Sequence, residues 1–364
     1  MNELRSTITC KDDDDEWYDR SIVDYRELIM FEVENKPLLL SVGDQDNIYL
    51  LEEKTQNVQV LSLHTLPDKI VEARHEEVVK SSHLNIQAGT FLDAEIIEMQ
   101  ALYGQRRLIA SEVASPGLSS FRANSDTDKI VKDSKRLASS SLVAPHFAQI
   151  DGETIILTKT TSDSAFSLNM MSESLHQLKL DELSLSSSSS NLIPFGISSH
   201  SVGLGIEDTG YAVIYDLRSH SPVITIQGNS SPSKWFFAAS YKPISPYTGS
   251  TLVAMLSDSG SAAIFDLKSP LQPLTTGKIP QSPTKMRMSP SGKLLSVSDT
   301  LGLVKLYSIS SSEFTETFCH EGHVRMEHCD RLAKTTDHCW YSDSTIISAA
   351  DNKTVNIWQF NVSS

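Results

Sequence analysis

The hydrophobic and polar residues in the second half of the chain repeat one pattern. Each copy begins with an aspartate and turn-forming residues, continues as alternating apolar positions, and ends on an aromatic residue. The four copies are IEDTGYAVIYDLRS at 206–219, LSDSGSAAIFDLKS at 256–269, VSDTLGLVKLYSIS at 297–310 and AADNKTVNIWQF at 349–360. A turn signal followed by apolar positions every second residue is typical of a hairpin that leads into a half-buried strand.

The spacing of these copies predicts the fold class. The residue after the aromatic recurs at intervals of 50, 42 and 51 residues, close to the roughly 40 to 45 residues of one propeller blade. A further apolar run precedes each of the last three copies, and three less regular units lie at 37–63, 83–121 and 146–169. The sequence therefore predicts an all-β protein: an acidic tail over 1–20 and a single seven-bladed β-propeller over 21–364.

The strand LIMFEV at 28–33 precedes the first full unit, whereas the last unit supplies only three strands. We expect this N-terminal strand to complete the last blade and close the ring. The segment LHQLKLDEL at 175–183 runs into Ser186–Ser190, and its composition predicts a loop between blades. Whether the serine-rich loops are phosphorylated stays an open question.

Charge and composition exclude several classes of partner. The chain has 31 basic and 46 acidic residues, a formal net charge of −15, which argues against a phosphate-binding surface and direct contact with nucleic acid. Its apolar stretches fall far short of the roughly 18 residues of a membrane span, and the N-terminus lacks an apolar signal-peptide core. We expect no membrane association, and four unevenly distributed cysteines favour a reducing compartment over a disulfide framework.

Potential metal ligands concentrate near the C-terminus. The cluster consists of Cys319, His320, His323, His328, Cys329, His338 and Cys339. Structural zinc usually binds two short-spaced pairs of ligands, and only Cys319 and His323 form such a pair. Neighbours along a strand also point to opposite faces, which separates His338 from Cys339. The sequence favours buried, hydrogen-bonded side chains and no metal.

Catalytic and cofactor motifs are missing from the sequence. The chain has no GxSxG nucleophile elbow, and Gly203-Leu204-Gly205 has the wrong spacing for a dinucleotide fingerprint and precedes a strand. We therefore expect no enzymatic activity, no catalytic residue and no cofactor.

The last repeat resembles a WD-repeat blade. Gly322-His323 is followed by DHCWYSDSTIISAADNKTVNIW, which ends at Trp358. In that family a histidine, a strand serine or threonine, a turn aspartate and the final tryptophan hydrogen-bond together inside the blade. The matching positions are His323, Ser348, Asn352 and Trp358, with Asn352 in place of the usual aspartate. An amide oxygen still accepts a hydrogen bond from an imidazole, without the assistance of a charge.

The order of features along most of the chain resembles one member of this family. These features are an acidic tail with Trp17, SIVDYRELIMFEV at 21–33, KIVEARHEEVVKSSHLNI at 69–86, and CHEGHV followed by the DHCW strand near the C-terminus. The resemblance implies a scaffold that binds the endonuclease subunits of the Integrator RNA-processing complex together with an assembly co-factor, as one copy within a hetero-complex. It also implies a location in the cytoplasm, in the nucleus and at spindle poles, with a link to the spindle cytoskeleton.

Two further features are candidate partner-binding residues. The acidic run Asp12, Asp13, Asp14 and Asp15 with Trp17 is either a solvated tail or a docking peptide in which Trp17 anchors and the carboxylates steer encounter. Tyr215-Asp216-Leu217-Arg218 resembles the ending that some WD-repeat substrate receptors use to dock on cullin-RING ubiquitin ligases. Arg218 either serves that alternative function or pairs with a carboxylate of its own blade.

Overall fold

In the computed structural model, most of the described residues form β-strands. The described residues are 23–43, 47–53, 57–62, 86–92, 94–103, 105–113, 115–124, 129–133, 136–138, 145–158, 164–180, 191–228, 233–240, 252–280, 282–309, 314–325 and 333–361. The predicted acidic tail, residues 1–20, and the serine run Ser186–Ser190 lie outside them. No described helix is long and apolar enough to cross a membrane.

Hydrogen bonding groups the described strands into six sheets, in which all neighbouring strands but one pair are antiparallel. The first contains the N-terminal strand and the last three strands: β1 (Tyr25–Glu32), β26 (Thr335–Trp340), β27 (Thr345–Ala350) and β28 (Thr354–Phe360). The second has eight strands: β2 (Pro37–Val42), β3 (Asn47–Glu52), β4 (Asn57–Ser62), β5 (Ile86–Phe91), β6 (Ile96–Leu102), β7 (Arg107–Glu112), β8 (Leu118–Asn124) and β9 (Lys129–Lys132).

The other four sheets have four consecutive strands each. Two of them are formed by β10 (His146–Gln149), β11 (Thr154–Thr158), β12 (Ala165–Asn169) and β13 (Ser174–Gln177), and by β14 (Leu192–Ser198), β15 (Ser201–Ile206), β16 (Tyr211–Asp216) and β17 (Ser221–Gln227). The remaining two are formed by β18 (Trp235–Ala239), β19 (Leu252–Ser257), β20 (Ser261–Asp266) and β21 (Thr275–Lys278), and by β22 (Pro283–Met288), β23 (Leu294–Asp299), β24 (Val304–Ile309) and β25 (Phe314–His320). A short helix, α1 (Gly322–Arg325), follows β25.

The architecture is an all-β propeller, but its strands form six sheets where the sequence predicted seven separate blades. The difference has a local cause. β5 and β9 are the last strands of two neighbouring four-stranded units, and they meet in parallel at Gly89 and Lys129. This pair of residues joins β2–β5 and β6–β9 into one hydrogen-bonded sheet of eight strands. The prediction of a loop at 175–183 is also wrong for its first residues, because Ser174–Gln177 forms β13.

The N-terminal strand lies on the C-terminal one. β1 pairs with β28 in antiparallel register from Tyr25 opposite Phe360 to Glu32 opposite Thr354, with one irregularity between Tyr25 and Glu27. The side chain of Phe31 is buried between β28 and the strands β2 and β3. Residues from opposite ends of the described chain therefore share one sheet and one core.

The hydrophobic cores lie between neighbouring sheets. The first strand of one sheet lies beside the first strand of the next, as β14 does beside β18 and β22 beside β26. Between the sheets that begin with β14 and β18, the rings of Phe195 and Phe237 stack with centroids 5.9 Å apart. A Cβ on Gly203 would lie 2.1 Å from Phe195, and one on Gly205 would lie 2.3 Å from Phe237. The two glycines of the Gly-Leu-Gly segment thus make room for these rings.

Removing β1 tests the contribution of the N-terminal strand. We expect deletion of residues 1–33 to abolish cooperative thermal unfolding, because β28 loses one of its two neighbouring strands and Tyr25 and Phe31 leave two buried cores. Deletion of residues 1–22, which keeps β1, is the matched control and should unfold cooperatively. A soluble 1–33 deletion with an unchanged melting temperature would contradict this account.

Candidate functional site

A buried polar network joins α1 to β27 and β28. The indole N–H of Trp358 donates to Oγ of Ser348 over 3.0 Å, and that oxygen lies 2.8 Å from Nε2 of His323. On the other side of the ring, Nδ1 of His323 lies 2.6 Å from Oγ1 of Thr354. The Thr354 hydroxyl donates to Oδ1 of Asn352 over 2.6 Å. The structure thus brings together the four residues that the resemblance singled out. Thr354 is a fifth member of the network.

The hydrogen-bond directions in this network follow from its donors. Thr354 donates its only hydroxyl proton to Asn352, so it accepts from His323, and Nδ1 carries the ring proton. Nε2 is then the acceptor for the hydroxyl of Ser348. A neutral imidazole satisfies every partner. Burial lowers the pKa of His323 to about 3, which keeps it neutral.

Asn352 differs from its expected role. The resemblance predicts that its amide oxygen accepts a hydrogen bond directly from the imidazole, whereas Thr354 lies between them. The amide nitrogen of Asn352 instead donates to the backbone carbonyl of His323 over 3.1 Å. One sequence signal points to Thr354, because it is a hydroxyl residue that opens the final strand two positions after the turn asparagine.

A second buried histidine connects this network to the N-terminal strand. Nδ1 of His320 lies 2.7 Å from the hydroxyl of Tyr25, and its ring stacks on Trp358 with centroids 4.5 Å apart. The pKa of His320 lies well below its usual value because of burial. A Cβ on Gly322 would lie 2.6 Å from this ring, so the glycine before His323 leaves space for His320.

The third histidine of the cluster belongs to a different junction. Nε2 of His338 lies 2.9 Å from Oγ of Ser296 in the preceding sheet. Burial, and then the nearby charge of Arg287, lower the pKa of His338 to about 3. Each of the three histidines therefore has a separate set of hydrogen-bond partners.

The cysteines near these histidines have the properties of buried thiols. Cys319 and Cys339 are both partly buried. Burial, and then Glu321, raise the pKa of Cys319 to about 12, which disfavours the thiolate that metal binding and nucleophilic chemistry require. No group of three His, Cys, Asp or Glu side chains suited to a metal ion occurs among the described residues, and His328 and Cys329 lie outside them.

Of the predicted partner-binding residues, the structure describes Arg218 alone. Its guanidinium is exposed and binds Asp216, two residues earlier. Nη2 of Arg218 donates to Oδ2 of Asp216 over 2.9 Å. Hydrogen bonds from Arg218 hold the pKa of Asp216 well below its usual range. Asp12, Asp13, Asp14, Asp15 and Trp17 lie outside the described residues.

An ion pair links the first strands of two neighbouring units. Nδ1 of His146, on β10, lies 3.1 Å from Oε2 of Glu98 on β6. The hydrogen bond that His146 donates to Glu98 raises the pKa of His146, although burial opposes the shift. Glu207 and Lys234 form a second pair, at 3.1 Å, between the two sheets that follow.

Comparisons with known proteins agree with this architecture. No family model matches the chain. The Danio rerio protein named Integrator complex assembly factor WDR73 is 23% identical over 374 residues, which cover 96% of this chain and 97% of that protein. The crystal structure of Chaetomium thermophilum Raptor matches with a TM-score of 0.69 at 10% identity, over 95% of this chain and 30% of the Raptor chain, a likeness of fold alone. The chain is thus a β-propeller that is similar to this WDR73 relative along nearly its whole length.

Replacing His323 tests the buried network. We expect His323→Ala to lower the free energy of unfolding by about 1–3 kcal/mol, because Ser348 and Thr354 lose their buried partner. Denaturant titration measures the loss, and His200→Ala, at an exposed position, is the control. Chelators should leave the unfolding curve unchanged. Stoichiometric zinc in the purified protein, or equal losses for the two variants, would contradict the network.

The pair Glu98 and His146 predicts a pH dependence. A histidine whose pKa is raised by folding contributes stability that is fully present below its unfolded pKa of about 6.5 and is lost as the pH rises through the folded pKa. Glu98→Gln removes the partner, so the difference in stability between the native protein and this variant should shrink as the pH rises above about 6.5. Glu153→Gln, at an exposed position, should show no such trend, and a constant difference for Glu98→Gln would refute the assignment.

Proposed function

We propose that this protein is a non-catalytic scaffold that assists assembly of the Integrator complex by binding its endonuclease subunits. The observation that carries the proposal is the similarity to an Integrator complex assembly factor over 96% of this chain and 97% of that relative. Similarity of that extent includes every sheet of the propeller. The proposal includes one copy of the chain per hetero-complex.

The buried chemistry supports a structural role for the polar residues near the C-terminus. His323 and Ser348 resemble a base and a hydroxyl nucleophile within hydrogen-bond distance. However, the histidine is 1% exposed and the serine is fully buried. A pKa of about 3 also makes His323 a weak base at neutral pH. This pair therefore stabilises the fold, and recognition falls to surfaces and loops.

The architecture that we propose for this scaffold is a ring of seven blades over residues 21–364. Each half of the eight-stranded sheet has four consecutive antiparallel strands, as the four single sheets do, and one parallel pair joins the halves. Counting these halves as two blades gives seven, and β1 then provides the outermost strand of the last. An experimentally determined structure would test this count.

The acidic run is the part of the chain that we propose to contact a partner first. Asp12, Asp13, Asp14 and Asp15 would steer the encounter with a basic groove, and Trp17 would anchor the complex. The locations implied by the resemblance, cytoplasm, nucleus and spindle poles, belong to the same proposal and can be examined by microscopy of a tagged protein.

The alternative function is that of a substrate receptor for a cullin-RING ligase. It rests on Arg218, whose guanidinium is exposed on the surface. The same guanidinium is engaged by Asp216 of its own strand, which favours a local structural role. A cullin adaptor would have to compete with this intramolecular pair.

Co-purification with affinity-tagged protein separates the two functions. We expect Integrator endonuclease subunits to co-purify with the native chain and with Arg218→Ala. Reversing the charge of Asp12 to Asp15 should slow association and weaken its salt dependence, because charge steering is lost. A cullin adaptor that is retained by the native chain and released by Arg218→Ala, with Integrator subunits absent, would replace the scaffold proposal by the alternative.

A further inference from the structure

Three charged side chains meet between the first strands of the last two sheets. Asp337, on β26, is 1% exposed. Nζ of Lys285, on β22, lies 3.0 Å from Oδ1 of Asp337. Nη2 of Arg287, also on β22, lies 3.8 Å from the same oxygen. Two cations thus face one carboxylate, which leaves this junction with one excess positive charge.

The carboxylate of Asp337 is satisfied without Arg287. Its Oδ2 accepts from the backbone N–H of Leu40 over 3.0 Å. Its Oδ1 accepts from Lys285 and from the backbone N–H of His338 over 2.9 Å. Burial would raise the pKa of Asp337, but the charges of Lys285 and Arg287 and these hydrogen bonds lower it. The carboxylate is therefore ionised at neutral pH, and it ties together β2, β22 and β26.

Arg287 is left with unused hydrogen-bonding capacity. Its 3.8 Å separation from Asp337 is an ion pair but lies beyond hydrogen-bond distance. Among the described residues, its guanidinium donates no hydrogen bond, although a guanidinium has five N–H groups. Half of the Arg287 side chain is exposed to solvent. The charge of Asp337 attracts its guanidinium from the other side.

The position of Arg287 suits a ligand site. β22 is the first strand of its sheet and lies beside β18 and β26, and the first strands of propeller sheets surround the central channel. The other charged pair on the described first strands is Glu98 with His146, and these two bind each other. Among the described first strands, Arg287 is therefore the cation whose charged group donates no hydrogen bond to a described residue, whereas Lys285 binds Asp337 at 3.0 Å.

We propose that Arg287, oriented by Asp337 and assisted by the charge of Lys285, binds an oxyanion carried by a peptide that enters the propeller channel. A planar guanidinium matches two acceptor oxygens of one group, and such bidentate contacts are strong when partly shielded from water. The ligand is a carboxylate or a phosphate group, which share this geometry. The inference does not depend on which complex the protein assists.

Binding of fluorescent peptides to the full chain tests this site. The probes are a peptide with consecutive glutamates, a peptide with one phosphoserine among neutral residues, and the same peptide with unmodified serine. Anisotropy at constant ionic strength gives the dissociation constants. Tighter binding of the glutamate peptide or the phosphoserine peptide than of the neutral one supports the site and identifies the source of the oxyanion.

Substitutions assign this binding to Arg287. We expect Arg287→Gln to weaken binding of the acidic probe at least tenfold, and Arg287→Lys to weaken it less, because the charge remains but the two-pronged geometry is lost. Lys293→Gln removes an exposed cation on the turn after β22 and should leave binding unchanged. Thermal unfolding without peptide establishes that each variant is folded.

Two results would overturn the proposal. One is that neither acidic peptide binds more tightly than the neutral peptide at millimolar concentration. The other is that folded Arg287→Gln binds like the native chain, or that Lys293→Gln loses as much affinity as Arg287→Gln, which would assign the binding to surface charge in general.

Discussion

The pairing of β1 with β28 is the interaction on which the last sheet depends. It joins residues more than three hundred positions apart, so the backbone of β28 gains its second neighbour only when the whole intervening chain has folded. The side chains reinforce the pairing, since Tyr25 reaches His320 and Phe31 enters the core beside β2 and β3. Contacts between neighbours in sequence cannot replace such a long-range pairing. Bringing the two ends together costs loop-closure entropy, which the contacts of the complete fold offset.

The same region shows how a polar cluster becomes structural. The neutral histidines His320, His323 and His338 each face hydroxyl groups or aromatic rings deep in the fold. A buried polar group is tolerated when its partners are complete. Since the pKa of each is lowered, a proton taken up on acidification must unfold or rearrange its surroundings. The pKa of His146 is shifted in the opposite direction, upward, because Glu98 favours the charged form of this histidine.

Much of this architecture could be predicted from the sequence because the repeats have strong local signals. The turns that open the repeats at 206–219 and 256–269 lie between β15 and β16 and between β19 and β20, as the repeat pattern predicts. The pairing of β5 with β9 could not be predicted, since it depends on where two sheets meet in space. β13 was missed because its four residues are too few for a clear period. Asp337 looked like an ordinary strand residue, and only the neighbouring strand shows that Lys285 and Arg287 face it.

The junction of β5 and β9 also bears on aggregation. An outermost strand with a free edge can pair with another chain, and at Gly89 and Lys129 the two strands cover part of each other's edge. The outer strands of the four single sheets have no such cover among the described residues, and other features limit their exposure. β13 and β21 are four residues long. β17 contains Pro222 and an irregular register, and β25 is irregular and carries Glu316. A protein that presents many edges thus limits how far a second copy could extend each sheet, which leaves its surfaces free for partners other than itself.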